Sequence, residues 1–241
     1  MRSVYPILAI LATSFLSISP ARCGGGSGTG ASPDGRAAPS AGDGRGQDAA
    51  APGTPSEPLV VFLGDSLTAG LGLAEEQAFP ALLDRRLRTE GVPIRVVNAG
   101  VSGDTTTGGL ARLPWLLKQR PDVLVVGLGA NDALRGQPLD TLEGNLRAIV
   151  ERGRAAGARV LLLGMRVPTN YGSDYAEGLA AIYPRVANSL GTGLVPFLLD
   201  GVGGHPALNQ PDGLHPTAEG QKILAGNVYP HLRKALAAVR R

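Results

Sequence analysis

The chain has 241 residues, a formal net charge of +3 and a single cysteine. Neither the small net charge nor any run of Lys or Arg interleaved with aromatics offers a nucleic-acid footprint. One cysteine, Cys23, excludes an internal disulfide.

Residues 2–21 carry one arginine, an apolar run from Val4 to Ile18, then small residues and a proline. The run is too brief for a stable membrane anchor and reads as an export signal over residues 1–22. From Cys23 to Pro58 the composition falls to Gly, Ala, Ser, Pro and scattered charge. Such a segment has too little apolar surface to offset its ordering entropy, so a flexible tether is expected, with a coil reach on the order of 30 Å. Cys23, followed by Gly24-Gly25-Gly26-Ser27-Gly28, resembles a bacterial lipoprotein cleavage site, which would fix the chain to a membrane through a lipidated cysteine. Arg22 stands where that signal carries Gly, Ala or Ser, and Ser19-Pro20-Ala21 offers the small residues that ordinary signal peptidase prefers. Both routes lead out of the cytoplasm, to the periplasm or to a membrane-anchored form. The remaining residues, 59–241, are enough for one domain with a sizeable core.

Leu59-Val60-Val61-Phe62-Leu63 is an unbroken apolar run ending in Gly64, Asp65 and Ser66. It reads as a strand buried on both faces, as in a parallel sheet. Ala81–Leu87 has helical apolar spacing, with Pro80 suited to the first turn. Ile94–Val97 reads as a short strand, and Thr107–Lys118 as a helix that Pro114 interrupts or restarts. Asp122–Leu128 is a second fully apolar strand, followed by a helix with Leu142, Leu146, Ile149 and Val150 on one face. Arg159–Leu163 is a strand ended by Gly164, Tyr175–Leu190 a helix with Pro184 as a kink, and Leu194–Phe197 a weak strand. The last helix aligns Leu224, Val228, Leu232, Leu236 and Val239. Strand and helix alternate throughout, which implies a parallel sheet with helices on both faces.

In this register Ser66, Gly103, Asn131 and the Asp212–His215 segment occupy loops at the carboxyl edge of the sheet, where open α/β sheets bind ligands. Ester hydrolysis needs an activated hydroxyl, a base, a group that orients the base, and donors for the oxyanion. Ser66 fits the nucleophile, His215 the base, and Asp212 the group that holds the imidazole tautomer from three residues away. The Ser66 and Gly103 N–H groups and the Asn131 amide fit the oxyanion donors, with Gly103 allowing close approach of the backbone. Each residue also has a plainer meaning. Gly103 and Asp212-Gly213 suit turns, Asn131-Asp132 suits a helix cap, and His215-Pro216 suits a helix start. Singly, those are the commoner meanings; together, in this order and at the ends of successive strands, they favour the catalytic one. His205 and His231 have no acid three residues before them and read as structural or exposed.

These blocks resemble those of the SGNH (GDSL) hydrolase superfamily, from Leu59 to the last helix. Gly64-Asp65-Ser66-Leu67-Thr68-Ala69-Gly70, Val101-Ser102-Gly103-Asp104-Thr105 and Met165–Gly172 are similar to the branch of bacterial acyl-CoA thioesterases, lysophospholipases and arylesterases. The resemblance implies an α/β fold of the flavodoxin-like type, a three-layer α/β/α sandwich on five parallel strands. It also implies a serine esterase acting on acyl esters, thioesters or lysophospholipids through an acyl-enzyme, as a monomer and without metal or organic cofactor. It places Asp65, Leu67, Ala133, Leu134, Pro168 and Tyr171 along the substrate groove. Ala130 departs from the glycine of close relatives and adds a methyl beside Asn131.

Three other functions compete. A carbohydrate O-acetyl esterase of the same superfamily is disfavoured by the loop motifs, and by an aromatic content of 4%, which leaves little to stack on sugars. A nucleotide- or flavin-binding module would need a phosphate loop or a dinucleotide glycine pattern, and Gly64–Gly72 has neither. A binding protein with a vestigial site is at odds with the full catalytic set.

Overall fold

The computed structural model describes residues 57–239. The export signal at 1–22, Cys23 and all but the last two residues of the tether lie outside the described residues.

Five strands form one all-parallel sheet: β1 (Leu59–Gly64), β2 (Arg95–Gly100), β3 (Val123–Gly127), β4 (Arg159–Leu163) and β5 (Gly193–Val195), in the order β2-β1-β3-β4-β5. This is the flavodoxin-like order, and it reverses direction between β1 and β3, the switch point where such sheets hold ligands. Every residue of β1 and β3 is buried, as the unbroken apolar runs require, whereas edge strand β2 has no fully buried position. β2 begins one residue later than expected and runs on to Gly100, because Asn98, Ala99 and Gly100 continue the ladder against Phe62, Leu63 and Gly64. β5 ends at Val195, short of the expected Phe197. Pro196 has no N–H to continue a ladder, and the chain turns so that Leu198 N–H bonds the Gly164 carbonyl instead.

Among the described residues there are seven helices: α1 (Ser66–Ala69), α2 (Phe79–Thr89), α3 (Thr106–Leu117), α4 (Ala130–Leu134), α5 (Leu139–Ala155), α6 (Ser173–Leu190) and α7 (Ala218–Ala237). The pair α2 and α7 packs on one face, and α3, α5 and α6 pack side by side on the other. The three-layer sandwich expected from the motifs is thus the observed fold. Helices α3, α6 and α7 run through Pro114, Pro184 and Pro230 without ending there. The core is continuous across both layers, and Phe62 of β1 meets Phe79 of α2 edge-on at 5.7 Å. Burying each such side chain stabilises the fold by about 1.5–3 kcal/mol. The interior strands thereby become a rigid base for the loops at their carboxyl ends.

Candidate active site

The nucleophile loop is built by the shortest helix. Asp65 caps α1, its carboxylate accepting the Leu67 N–H at 3.0 Å, and Ser66 is the first residue of that helix. The α1 backbone is pinned from the opposite end of the chain. Gln221 of α7, 1% exposed, donates Nε2 to the Leu67 carbonyl at 3.1 Å and accepts the Phe79 N–H at 2.8 Å. From the other side Arg112 of α3 donates to the Gly64 and Ala99 carbonyls, at 2.9 and 2.6 Å, and to Asp104 at 2.8 Å. One guanidinium therefore ties together the carboxyl ends of β1 and β2. Neither Gln221 nor Arg112 stands out in the sequence, because each acts on partners that only the fold brings near.

His215 reaches Ser66 across 149 residues of chain, with Nε2 at 2.8 Å from the Ser66 Oγ. Its Nδ1 lies 2.6 Å from Asp212 Oδ2. The other oxygen of Asp212 accepts the Leu214 and His215 N–H groups at 2.9 and 3.0 Å. Asp212 thus closes the turn with one carboxylate oxygen and holds the imidazole with the other. Hydrogen bonding of Nδ1–H to Asp212 leaves Nε2 as the acceptor for the Ser66 hydroxyl. Partial burial acts to raise the Asp212 pKa. The His215 and Leu214 N–H groups and the imidazole outweigh it by binding the anion, and hold the carboxyl below its ordinary range.

The expected oxyanion donors converge on the same edge. Gly103 has φ +79, which only glycine adopts without strain. Among the described residues neither the Ser66 nor the Gly103 N–H is engaged in another hydrogen bond. Asn131 does not cap α4. The cap is Gly129 at φ +115, where a Cβ would lie 2.2 Å from the Tyr183 hydroxyl, and Asn131 is the second helical residue. Its Nδ2 lies 3.4 Å from Asp65 Oδ2, a long contact from which it is free to turn to a stronger acceptor. Nor does His215-Pro216 begin the last helix, which starts at Ala218 under a Thr217 cap.

The substrate-binding expectations divide. Leu134 and Tyr171 are exposed by 41% and 42%, and Pro168 is exposed too, so these three can meet a ligand. Asp65, Leu67 and Ala133 cannot do so with their side chains, since these residues are exposed by only 0%, 5% and 0%. They serve instead as cap and core, since their positions beside the motif residues face inward. Ala130, the methyl beside Asn131, is half-buried and packs against the core. Large exposed apolar residues that the motifs had not suggested, Leu71, Val101 and Leu214, join Leu134 and Tyr171 at the loops of this edge. Burial pushes the Asp65 carboxyl up to about 7, against the pull of the Leu67 N–H and of His215. Among the described residues no cluster of His, Cys, Asp or Glu is placed to hold a metal ion. A cavity of about 790 Å³ opens at the amino ends of β4 and β5, remote from Ser66, so volume alone would misplace the chemistry.

The family model described as "GDSL-like Lipase/Acylhydrolase family" matches residues 62–223. Esterase TesA of Pseudomonas aeruginosa is 48% identical over 178 residues, 73% of this chain and 89% of that protein. Thioesterase 1/protease 1/lysophospholipase L1 of Escherichia coli K12 is 45% identical over 168 residues, 69% of this chain and 79% of that protein. A crystal structure of the psychrotrophic esterase EstA from Pseudoalteromonas sp., inhibited by monoethylphosphonate, superposes with a TM-score of 0.71 at 33% identity, covering 75% of this chain and 100% of that one. The family model runs from inside β1 into α7 and takes in every motif block discussed above. This chain therefore belongs to the GDSL-like lipase/acylhydrolase family of ester hydrolases.

Proposed function

We propose that the protein hydrolyses medium- and long-chain acyl esters, among them aryl esters, acyl-CoA thioesters and lysophospholipids, through an acyl-Ser66 intermediate. The observation that carries this reading is the continuous relay Ser66–His215–Asp212, with links of 2.8 and 2.6 Å. His215 Nε2 accepts the hydroxyl proton as Ser66 Oγ adds to the carbonyl carbon. The carbonyl oxygen takes up the negative charge and receives the Ser66 and Gly103 N–H groups and the Asn131 amide. Collapse expels the alkoxide or thiolate, which leaves with the proton from His215. Water, deprotonated by the same nitrogen, then releases the acid and restores Ser66.

The acyl preference is supported by the apolar side chains of Leu71, Val101, Leu134, Tyr171 and Leu214 around the nucleophile loop. The names of the relatives, a thioesterase and lysophospholipase and an esterase, point to the same substrates. The expected outcome with p-nitrophenyl esters of graded length is turnover that rises beyond acetate. Acyl-CoA and lysophosphatidylcholine, assayed in parallel, should also be cleaved. Preference for acetylated sugars over every longer acyl ester would replace this reading with the carbohydrate one.

We infer further that the chain is exported, on the strength of the apolar run Val4–Ile18 and the segment that follows it. Palmitate labelling in a bacterial host that disappears in Cys23→Ala would identify a lipoprotein. Unlabelled periplasmic protein beginning near Arg22 would identify ordinary signal cleavage, and an unprocessed cytoplasmic chain would overturn export altogether.

A further inference from the structure

The structure assigns to Arg135 a positioning role in the oxyanion site, a role that rests on the serine-esterase reading above. The two donors outside the nucleophile loop come from separate segments: Gly103 from the loop after β2, and Asn131 from α4 after β3. Arg135, the C-cap of α4, touches both. Its N–H bonds the Asn131 carbonyl at 3.2 Å, and its Nη2 bonds the Gly103 carbonyl at 2.9 Å.

The Gly103 loop needs such a tie. Val101, Ser102 and Gly103 are exposed, and Gly103 carries the backbone freedom of a residue without Cβ. The loop's own backbone bonds stop on either side, at Val101 N–H to the Gly64 carbonyl and Asp104 N–H to the Val101 carbonyl, each 3.0 Å. Between them the Gly103 carbonyl is held by the Arg135 guanidinium, a charge-assisted bond that restrains the ψ rotation of the residue whose N–H meets the oxyanion.

A second, buried link lies beyond it. Asp132 of α4, 2% exposed, accepts the Thr106 N–H at 2.9 Å and the Thr106 hydroxyl at 2.5 Å. The segment Gly103–Thr106 is therefore fastened to α4 at both ends, by a buried carboxylate at Thr106 and by an exposed guanidinium at Gly103. The buried link supports the fold, whereas the exposed one has little to stabilise except the geometry of the loop. The guanidinium suits this task better than an ammonium, because its planar fork loses less freedom for each bond made. Arg135 touches no reacting atom; its side chain acts through Gly103, while its backbone N–H, which any residue here would supply, closes α4 on Asn131.

The test uses the full chain and measures kcat and KM on a p-nitrophenyl ester, the rate of Ser66 labelling by a phosphonate, and thermal unfolding. Arg135→Ala is expected to lower kcat roughly 10- to 100-fold, the range of a misplaced transition-state donor. KM and melting temperature should change little. Phosphonate labelling, which also builds charge on an oxygen, should slow by a similar factor. Guanidinium added to the buffer should restore part of the turnover of Arg135→Ala and none to wild type, with Arg135→Lys intermediate. Turnover of Arg135→Ala within about twofold of wild type, or a loss confined to KM, overturns the role. Should the Ala variant not melt cooperatively, Arg135→Lys and Arg135→Gln decide by the same split between kcat and KM. A wild type inert to every acyl ester and to the phosphonate overturns the esterase reading itself, and this role with it. An active wild type beside an unaffected variant overturns the role alone.

Discussion

The two halves of the relay are held by different means. Ser66 is 8% exposed, stands at the end of a strand buried on every residue, and begins a helix pinned by Gln221 and backed by Arg112. His215 stands on a loop whose side chains are far more open, with Asp212 at 46% and Leu214 at 51%. That loop is oriented by two backbone N–H groups on one oxygen of Asp212, the imidazole on the other, and Gln210, whose N–H bonds the His215 carbonyl at 2.7 Å and whose Nε2 bonds the Pro216 and Leu71 carbonyls. The nucleophile thus takes its position from the core, and the base from a local turn. Substitutions in the first half should register against packing, and those in the second against the hydrogen bonds of an exposed turn.

The largest effects remove a member of the relay and should not separate the halves. Ser66→Ala and His215→Ala should each lower kcat by about 10⁴–10⁶ with folding intact, and the double variant should be no worse than either. A fully active Ser66→Ala enzyme would falsify the mechanism. His205→Ala and His231→Ala should keep most activity, since neither contacts the relay.

Asp212→Asn should be next, with kcat down by about 10⁴, because the amide favours the wrong imidazole tautomer. Its stability should change little, as expected of an exposed loop. A large drop in melting temperature would show that this turn is tied to the core after all.

Asn131→Ala tests the third element of the site and should cost about 10²–10³ in kcat, with less change in KM. With the cap role taken by Gly129, no loss of helix-cap stability is expected to accompany it. Normal turnover in that variant would remove Asn131 from the oxyanion site.

The core-held half should also carry a pH signature. Burial lifts the Asp65 carboxyl from 3.8 to about 7, so between those values the folded protein keeps a proton that the unfolded chain has lost. Its contribution to stability is full below the unfolded value and is lost as pH rises through about 7. Unfolding free energy should therefore fall between about pH 4 and about pH 7, by up to a few kcal/mol, and Asp65→Asn should flatten that fall. An equal fall in Asp65→Asn would assign it to other groups.

The smallest effect is the local one. Gly213 has φ +71 with open space around its missing Cβ, so Gly213→Ala adds backbone strain and nothing else. About 1 kcal/mol is expected, felt as reduced turnover through His215 more than as a lower melting temperature. Wild-type turnover would show that the loop tolerates the strain.

The alternation of apolar runs and helical spacings determined the fold class, because a strand buried on both faces is written as a continuous run. β1, β3 and β4 could hardly be read otherwise. The motif residues Ser66, Gly103, Asn131, Asp212 and His215 were legible for a related reason: each sits where a strand or turn ends, and its residue type is unusual for a mere ending when all recur in order. Edge strands were less legible. β2 and β5 are short or half-exposed, and their ends depend on the neighbour they pair with rather than on their own composition. The sequence also placed Asp65, Leu67 and Ala133 at the groove by adjacency, although neighbouring residues on a short helix point in different directions. Only the tertiary structure decided that these three face inward. It alone brought Gln221, Arg112 and Arg135 to the backbone of the site, because a long side chain bonding a distant carbonyl leaves no periodicity, spacing or composition to read.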